Sequence, residues 1–194
     1  MIYLLRHGQT NYNHEGRMQG QLESQLTELG MAQAQAMADL LKEQITDLAG
    51  WRLLASPLKR TRQSAAIVGA TLGLEVEIEP ALIEVGCGAW EDRLYADLAK
   101  EHPDAFASRD WFFRAPEGER FEDVDGRVRP WLAAQAPEPR KLIAVAHGVS
   151  GSLLRGAYLG LSREETLAQD VPQDAIFRLA EGAVQRLPCA EVTA

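Results

Sequence analysis

Two histidine–glycine pairs stand where they could carry chemistry, because each directly follows a short apolar run. Arg6-His7-Gly8 follows residues 2–5, and His147-Gly148 follows residues 142–146. Such runs are typical of buried strands, and open α/β sheets bind ligands at the carboxyl ends of their strands. A single His-Gly pair is more often a loop histidine with a turn glycine. Two pairs at matching strand ends favour one shared catalytic site.

Positive charge gathers near the first pair. Arg6 precedes His7, and Arg60 stands in Ser56-Pro57-Leu58-Lys59-Arg60-Thr61, within the first turns of a predicted helix. Guanidinium groups grip phosphate oxygens with paired hydrogen bonds, and a helix N-terminus offers free amide groups to an anion. Taken alone, Arg60 also fits an exposed helix face. Beside two histidines, the arginines favour a site for an anionic group such as phosphate.

The elements that must position these residues alternate along the chain. Short apolar runs alternate with stretches of helical periodicity, which is the pattern of an α/β fold. The predicted strands cover residues 2–5, 52–55, 76–78 and 142–146, and a hairpin covers 175–180 and 183–187 with its turn at Glu181-Gly182. Four helices are predicted. The first begins after an N-cap at Thr27, and the second runs from Ser56-Pro57 to a stop at Gly73. The third runs from Val124 to Ala136 with Pro130 near its start or at a kink, and the fourth runs from Ser150 to Tyr158 with Gly160 near its end.

Composition narrows the class of protein. The chain has 194 residues, 46% hydrophobic and 25% charged, which fits one ordinary domain spanning 1–194. The net charge of −8 disfavours binding to nucleic acid or anionic lipid. No apolar stretch approaches the ~20 residues of a membrane span, and the first residues do not look like a signal peptide, so we expect a cytoplasmic protein. Two cysteines without a CxxC pair exclude a zinc ribbon.

Five motifs in order resemble the histidine phosphatase superfamily, in its phosphoglycerate-mutase-like branch. The motifs are Leu5-Arg6-His7-Gly8-Gln9-Thr10 with Asn13, Arg17-Met18-Gln19-Gly20, Leu26-Thr27-Glu28-Leu29-Gly30, Ser56-Pro57-Leu58-Lys59-Arg60-Thr61, and Glu84 with Gly86, Gly88, Trp90 and Glu91 before His147-Gly148. The resemblance covers essentially the whole chain. It implies a three-layer α/β/α sandwich with a mostly parallel central sheet.

The resemblance also implies a role for each site residue. His7 would attack phosphorus and become a phosphohistidine that water later hydrolyses, which divides one difficult displacement into two easier ones. The arginines would keep His7 neutral and, with His147, hold the phosphoryl oxygens. Glu84 would protonate the leaving oxygen and then take a proton from water. Further substrate contacts are assigned to Asn13, Gln19, Gly20 and the backbone near Gly8 and Gly148.

The chain departs from the family pattern near the proposed site. Glu23-Ser24-Gln25 stands where Asp-Ser-Pro is common, Asp92 follows Trp90-Glu91 where a glycine is usual, and Arg120 follows Glu119 where a serine is usual. The last two lie in or near residues 86–126, which hold seven of the thirteen aromatic residues. Because glycine and proline interrupt the periodicity there, we expect a loop-and-helix insertion that caps the site. These changes bear on the substrate rather than on phosphoryl chemistry.

Three functions follow from this pattern. A phosphatase acting on a small organic phosphomonoester is favoured, because residues 85–146 contain only Lys100 and Lys141 to receive a second phosphate. A cofactor-dependent phosphoglycerate mutase is the alternative within the family. A catalytically silent phospholigand-binding or scaffold protein is the alternative of another class, although none of the expected catalytic residues is substituted.

Other residues of interest are assigned no role in catalysis. His14 and His102 lack partners at metal-ligand spacing, so no metal site is predicted, and the implied mechanism needs no cofactor. Cys87 is expected to be a buried, inert thiol. Trp51 and Trp131 fit the core or an interface between copies, and we favour the core. The chain is expected to be a monomer or a homodimer.

Overall fold

A single sheet lies at the centre of the computed structural model, which describes residues 1–135 and 141–192. Within these residues six strands follow the order β3-β2-β4-β1-β5-β6. They are β1 Ile2–Arg6, β2 Trp51–Ala55, β3 Val76–Ile78, β4 Lys141–Ala146, β5 Ala175–Ala180 and β6 Ala183–Pro188. The first four are parallel, and the β5–β6 hairpin adds two antiparallel strands beside β1. The prediction of a mostly parallel sheet is confirmed.

Helices cover both faces of this sheet. They are α1 Asn11–Glu15, α2 Glu28–Gln44, α3 Lys59–Leu72, α4 Tyr95–Glu101, α5 Pro103–Phe106, α6 Phe121–Ala134, α7 Gly148–Leu159 and α8 Arg163–Leu167. Alternate residues of β1 enter two different cores, because side chains of a strand point to opposite faces. Tyr3 and Leu5 pack with α2 and α3, whereas Ile2 and Leu4 pack with α6 and α7. The three-layer α/β/α architecture is confirmed.

The predicted starts of three helices need correction. Thr27 caps α2 as predicted, and Gly73 ends α3 in the left-handed conformation. However, α3 begins at Lys59 rather than at Ser56, because Pro57 disfavours helical geometry in the residue before it. Ser56 instead extends the strand pairing, since its amide donates to the Val145 carbonyl. Helix α7 begins at Gly148, two residues earlier than predicted, and places His147 at its N-cap.

Helix α6 differs most from its prediction. It begins at Phe121 rather than at Val124, because Asp123 accepts a hydrogen bond from the amide of Arg120 and caps the first turn. Pro130 is therefore inside the helix and not near its start, where it has no amide hydrogen to give the carbonyl of Gly126. The predicted end at Ala136 lies outside the described residues. Trp131 on this helix and Trp51 are both buried, as favoured.

Residues 86–126 contribute no strand to the described sheet. They form α4, α5, the first turns of α6 and two 3-10 turns, Gly88–Trp90 and Trp111–Arg114. Their aromatic side chains pack against one another: the rings of Phe106 and Trp111 stack with centroids 4.4 Å apart. Because α6 continues beyond residue 126 onto the sheet, this segment is anchored to the core at its carboxyl end.

Candidate active site

The two histidine–glycine pairs meet at one edge of the sheet. Strands β1 and β4 are parallel neighbours with Arg6 opposite Ala146, so His7 and His147 leave the sheet side by side. The amide of His7 donates to the Ala146 carbonyl over 3.1 Å, and the two imidazole centroids are 5.2 Å apart. The structure thus brings together the two histidines that the sequence predicts in one site.

His7 has one ring nitrogen bonded within the protein and one nitrogen that keeps its lone pair. Its side chain is 2% exposed, and Nδ1 lies 2.8 Å from the carbonyl oxygen of Gly8. A carbonyl can only accept, so Nδ1 carries the proton and Nε2 holds the lone pair. Burial lowers the pKa of His7 well below 6.5, and the charges of Arg60 and Arg6 lower it further. The imidazole is therefore neutral at physiological pH.

Arg60 is held on three sides by groups of the protein. It is the second residue of α3 and 1% exposed; Nη1 donates to the Leu22 carbonyl over 2.8 Å and Nη2 to the Gly20 carbonyl over 2.7 Å. Nε donates to Nδ1 of His147 over 3.1 Å. Burial lowers the pKa of Arg60 to about 10, so its charge persists at neutral pH. These bonds fix the plane of the guanidinium.

Arg6 offers an unused donor. One terminal nitrogen donates to the Val171 carbonyl, while Nε is buried and has no hydrogen-bond partner among the described residues. Burial lowers the pKa of Arg6, and the Glu84 carboxylate partly offsets this shift. A buried unpaired donor is costly to the folded chain unless a ligand satisfies it. Its position beside His7 suits a phosphoryl oxygen.

His147 has both ring nitrogens engaged. Nδ1 accepts from Arg60, and Nε2 lies 2.7 Å from the hydroxyl oxygen of Ser56. Burial lowers the pKa of His147 well below 6.5, and the nearby Arg60 charge acts in the same direction. The sequence suggested that His147 donates directly to a phosphoryl oxygen. In this geometry such a bond would require the imidazole to leave Ser56.

Glu84 is fixed at the N-terminus of α7. Its carboxylate accepts from the amides of Val149 over 3.1 Å and Ser150 over 2.9 Å, and also from its neighbour Val85 over 3.1 Å. A helix N-terminus favours an anion through its free amides and its dipole. Glu84 therefore lies at the start of α7, against the amides of the two residues that follow His147-Gly148. It lines the same cavity as His7.

The cavity has a volume of about 240 Å³. Eight of the ten predicted site residues line it: Arg6, His7, Asn13, Gln19, Gly20, Arg60, Glu84 and Gly148. Asn13 and Gln19 each use the side-chain carbonyl within the protein, accepting from Gln173 and Ser24 respectively, which leaves their amide nitrogens for a ligand. Gly8 is not among the lining residues, and its amide donates to the Ser64 hydroxyl over 3.2 Å.

The walls of the cavity include residues that sequence reasoning missed. Residues 86–126, the aromatic-rich segment, contribute Tyr95, Trp111 and Phe112. A second segment after α7 contributes Leu167, Gln169 and Val171. Arg163 joins the two segments through ion pairs with Asp110 at 3.0 Å and Glu122 at 3.2 Å. No local motif marks residues 167–171, because their relation to the site arises only when α8 folds back over the strand ends.

Two glutamates tie the loops of the site together. Glu119 accepts from the amide of Gly86 over 2.7 Å and pairs with Arg127, and Glu91 accepts from the amides of Gln21 and Cys87, both over 2.9 Å. Asp92, which replaces the usual glycine, keeps a positive φ of 66°. The backbone thus retains the conformation that favours glycine.

The remaining candidates show no sign of metal or thiol chemistry. Among residues 1–135 and 141–192, no three His, Cys, Asp or Glu side chains are grouped to hold a metal ion. Burial raises the pKa of the Cys87 thiol, which keeps it protonated and unreactive. In the same described portion, no helix has both the length and the apolar character needed to cross a bilayer.

Comparison with known proteins decides the family. Residues 2–182 match the histidine phosphatase superfamily (branch 1). The chain belongs to this superfamily. It is 36% identical to the glucosyl-3-phosphoglycerate phosphatase of Mycobacterium tuberculosis and 34% identical to a "Probable phosphoglycerate mutase GpmB" of Erwinia tasmaniensis, in each case over 82% of this chain and 75% of the relative. The predicted resemblance is confirmed.

Solved structures agree with this assignment. The mycobacterial glucosyl-3-phosphoglycerate phosphatase in complex with VO3 superposes with a TM-score of 0.79 at 33% identity, over 91% of this chain and 92% of that one. The α-ribazole phosphatase of Shigella flexneri gives a TM-score of 0.78 at 26% identity, over 98% and 96%. The chain is thus a histidine phosphatase by family and by fold.

Proposed function

We propose that this histidine phosphatase hydrolyses a small phosphomonoester with an uncharged organic leaving group, through a phosphohistidine on His7. The observation that carries the proposal is the neutral His7 imidazole, with Nε2 free, in one cavity with the buried guanidinium of Arg60 and the partly buried guanidinium of Arg6. Arg6 and Arg60 supply the counter-charge that a phosphate dianion requires. Arg6 Nε, buried and unpaired, gives one phosphoryl oxygen a place to bind.

The first chemical step transfers the phosphoryl group to the enzyme. His7 Nε2 attacks phosphorus, an N–P bond forms and the ester P–O bond breaks. Glu84 gives a proton to the leaving alcohol. The arginines, oriented before the reaction, stabilise charge on the equatorial oxygens. The amide groups of Asn13 and Gln19 and the backbone at Gly20 and Gly148 add neutral contacts.

The second step regenerates His7. Glu84, now a carboxylate, takes a proton from water as that water attacks phosphorus, and the N–P bond breaks to release inorganic phosphate. Three amide hydrogen bonds hold the carboxyl group of Glu84 in one position. Glu84 thus acts as acid first and base second, and no step requires a metal ion or a cofactor.

The cavity favours a phosphatase over a phosphoglycerate mutase. Of the described residues that line it, the cationic ones are Arg6 and Arg60, both assigned to one phosphoryl group. Lys100 is exposed on α4, and Lys141 donates to the Ala49 carbonyl away from the cavity. Among these lining residues, no further cation is left to pair with a second phosphate or a carboxylate on the substrate. The apolar walls at Trp111, Phe112 and Leu167 suit an uncharged organic body.

The proposal covers the whole chain as one domain, 1–194, with residues 86–126 acting as a cap over the site. The acidic surface disfavours nucleic acid and anionic lipid as partners. A cytoplasmic location suits two cysteines that are both unpaired. A monomer suffices for catalysis, because every proposed contact comes from one chain, and a homodimer remains compatible with it.

The test is phosphate release from p-nitrophenyl phosphate in the presence of EDTA, comparing the wild type with His7→Ala. Turnover that survives the chelator and is lost in the variant supports the covalent, metal-independent route. A phosphorylated histidine, trapped by rapid quench in alkaline denaturant because its N–P bond is labile to acid, would be absent in His7→Ala. Turnover of 3-phosphoglycerate to 2-phosphoglycerate with a trace of bisphosphoglycerate would instead identify a mutase. Binding of vanadate without turnover of any ester would identify a silent binding protein.

A further inference from the structure

One peptide group joins the arginine site to the aromatic-rich segment 86–126. The carbonyl of the Gly20–Gln21 peptide accepts from Nη2 of Arg60 over 2.7 Å, and its amide donates to Oε1 of Glu91 over 2.9 Å. A trans peptide group is planar, so its carbonyl and its amide point in opposite directions and turn together. The orientation that brings the carbonyl to Arg60 is therefore the same one that brings the amide to Glu91.

The chain around this peptide group leaves its orientation open. Gly20 has a φ of +52°, in the left-handed region, and a glycine adopts a wide range of backbone angles because it has no Cβ. Local sterics thus do not hold the peptide plane in one direction. A Cβ atom on Gly20 would stand 2.0 Å from Oε1 of Glu91, so the carboxylate packs directly against this backbone. The orientation depends on the groups that bond to the peptide, which are Arg60 and Glu91.

Glu91 is itself fixed where it meets the peptide group. It follows the 3-10 turn Gly88–Trp90, whose tryptophan is buried, and its amide donates to the Gly88 carbonyl over 3.1 Å. Its Oε1 also accepts from the amide of Cys87 over 2.9 Å. Cys87 belongs to residues 84–87, the loop that carries Glu84. One carboxylate oxygen therefore joins this loop to the peptide group that contacts Arg60.

We propose that Glu91 is a positioning residue for phosphate binding: it orients the Gly20–Gln21 peptide group so that the Gly20 carbonyl fixes the guanidinium plane of Arg60. The inference rests on the proposed function, because Arg60 is assigned there to the phosphoryl group. Of the five N–H groups of the guanidinium, three donate to Gly20, Leu22 and His147. The other two are left for phosphoryl oxygens, and their direction follows from the three that are bonded.

Removal of the Glu91 acceptor would act on Arg60 through the peptide group. The Gln21 amide would lose its partner, and the peptide plane would be free to turn at Gly20. In the turned orientation the carbonyl no longer reaches Arg60, and the guanidinium keeps two of its three bonds to the protein. Phosphate would then bind more weakly, because the ligand must itself order the guanidinium. The effect is indirect, since Glu91 is not among the residues that line the cavity.

The test compares the Kd of inorganic phosphate, measured by titration calorimetry, in the wild type, Glu91→Leu and Glu91→Gln. Leucine cannot accept a hydrogen bond, so the Kd should rise about tenfold, as expected for the loss of one bond to a charged group. Glutamine removes the charge but keeps an oxygen that can accept from both amides, so its Kd should stay within about threefold of the wild type. A wild-type Kd in Glu91→Leu, or equal weakening in both variants, overturns the proposal.

Glu119→Leu is the matched control. Glu119 also accepts a backbone amide, that of Gly86 over 2.7 Å, but it bonds to the side chain of Gln21 and not to the peptide group. Its loss should lower Tm, because the ion pair with Arg127 is broken, and should leave the Kd of phosphate unchanged. Equal weakening in Glu119→Leu and Glu91→Leu would show that residue 91 has only a structural role and would overturn the proposal.

Hydrogen exchange gives a second test that needs no variant and stands if Glu91→Leu does not fold. Coupling between two sites is reciprocal, so phosphate bound at Arg60 should strengthen the bond from the Gln21 amide to Glu91. Saturation with phosphate should therefore slow exchange of the Gln21 amide about tenfold in NMR spectra of the wild type, with little change at the Gly86 amide. Unchanged exchange at Gln21 overturns the proposal.

This inference and the proposed function can fail separately. Absence of turnover in a wild type that binds phosphate overturns the proposed function alone, because neither calorimetry nor hydrogen exchange depends on catalysis. Turnover by the wild type together with an unchanged phosphate Kd in Glu91→Leu overturns this inference alone. A wild type that binds no phosphate overturns both.

Discussion

The backbone of Gly8 lies directly against that of Gly30. A Cβ atom on Gly8 would stand 2.0 Å from the carbonyl oxygen of Gly30, a separation that real Cβ atoms do not reach. The contact presses the loop that follows His7 onto the first turn of α2. The packing therefore requires a glycine at this position, which explains why Gly8 follows His7 yet does not line the cavity.

Alanine in place of two glycines should change the free energy of unfolding in opposite directions. Gly8→Ala should reduce the free energy of unfolding by about 2–3 kcal/mol, because the clash is with backbone that cannot move aside. Gly126→Ala, in the interior of α6 with nothing within 4 Å of the added Cβ, should raise it by about 0.5–1 kcal/mol. Urea unfolding measures both. A Gly8→Ala protein as stable as the wild type would disprove the close packing.

The two buried histidines predict that stability falls with acid. Burial lowers the pKa of both His7 and His147 in the folded chain, whereas in the unfolded chain each titrates near 6.5. Below about pH 6.5 the unfolded chain therefore binds protons that the folded chain does not. Each histidine should remove up to about 1.4 kcal/mol of unfolding free energy per pH unit. Urea unfolding between pH 7 and 5.5 tests this, and His7→Gln should show the smaller slope; an equal slope would contradict it.

The sequence alone located the residues whose positions depend on their immediate neighbours in the chain. His7 and His147 were recognisable because each follows a buried apolar run, and strand ends are adjacent in a parallel sheet. Thr27 and Gly73 marked helix ends through local capping chemistry. Arg60 was placed correctly in the first turn of α3, although the start of the helix was predicted three residues too early.

Long-range contacts escaped the sequence for a physical reason. Arg6 donates to the Val171 carbonyl, and the Gln173 side chain donates to the His7 carbonyl. In each pair the two residues are more than 160 positions apart, and no periodicity in the sequence predicts such a contact. The two bonds of the His147 ring depend likewise on the side chains of Ser56 and Arg60, which are set by the packing of β2 and α3. Sequence could assign His147 to the site but not show which partners occupy its nitrogens.

Glu84→Gln should separate substrates by their leaving groups. The amide keeps the size of the side chain but cannot give a proton, so esters of poorly acidic alcohols should lose about 10²–10⁴-fold in kcat/KM, the usual contribution of a general acid. This ratio reports the first chemical step and not the hydrolysis of the phosphohistidine, which all substrates share. p-Nitrophenyl phosphate needs little protonation of its leaving oxygen and should lose far less. A series of aryl and alkyl phosphates measures the dependence. Equal losses across the series would remove Glu84 from the acid role.

The wall residue Trp111 should set affinity without taking part in the chemistry. Its ring lines the cavity and is held by stacking on Phe106 and by an edge contact with Tyr95. Truncation to alanine removes apolar contact with the organic part of the substrate, so the KM for naphthyl phosphate should rise about tenfold while kcat changes little. Trp111→Phe retains an aromatic wall and should stay within about threefold of the wild type. Glycerol 2-phosphate, which has no aromatic group to contact the wall, should show nearly the same KM in all three proteins. If Trp111→Ala instead lowered kcat equally for both substrates, the residue would support the catalytic groups rather than contact the leaving group.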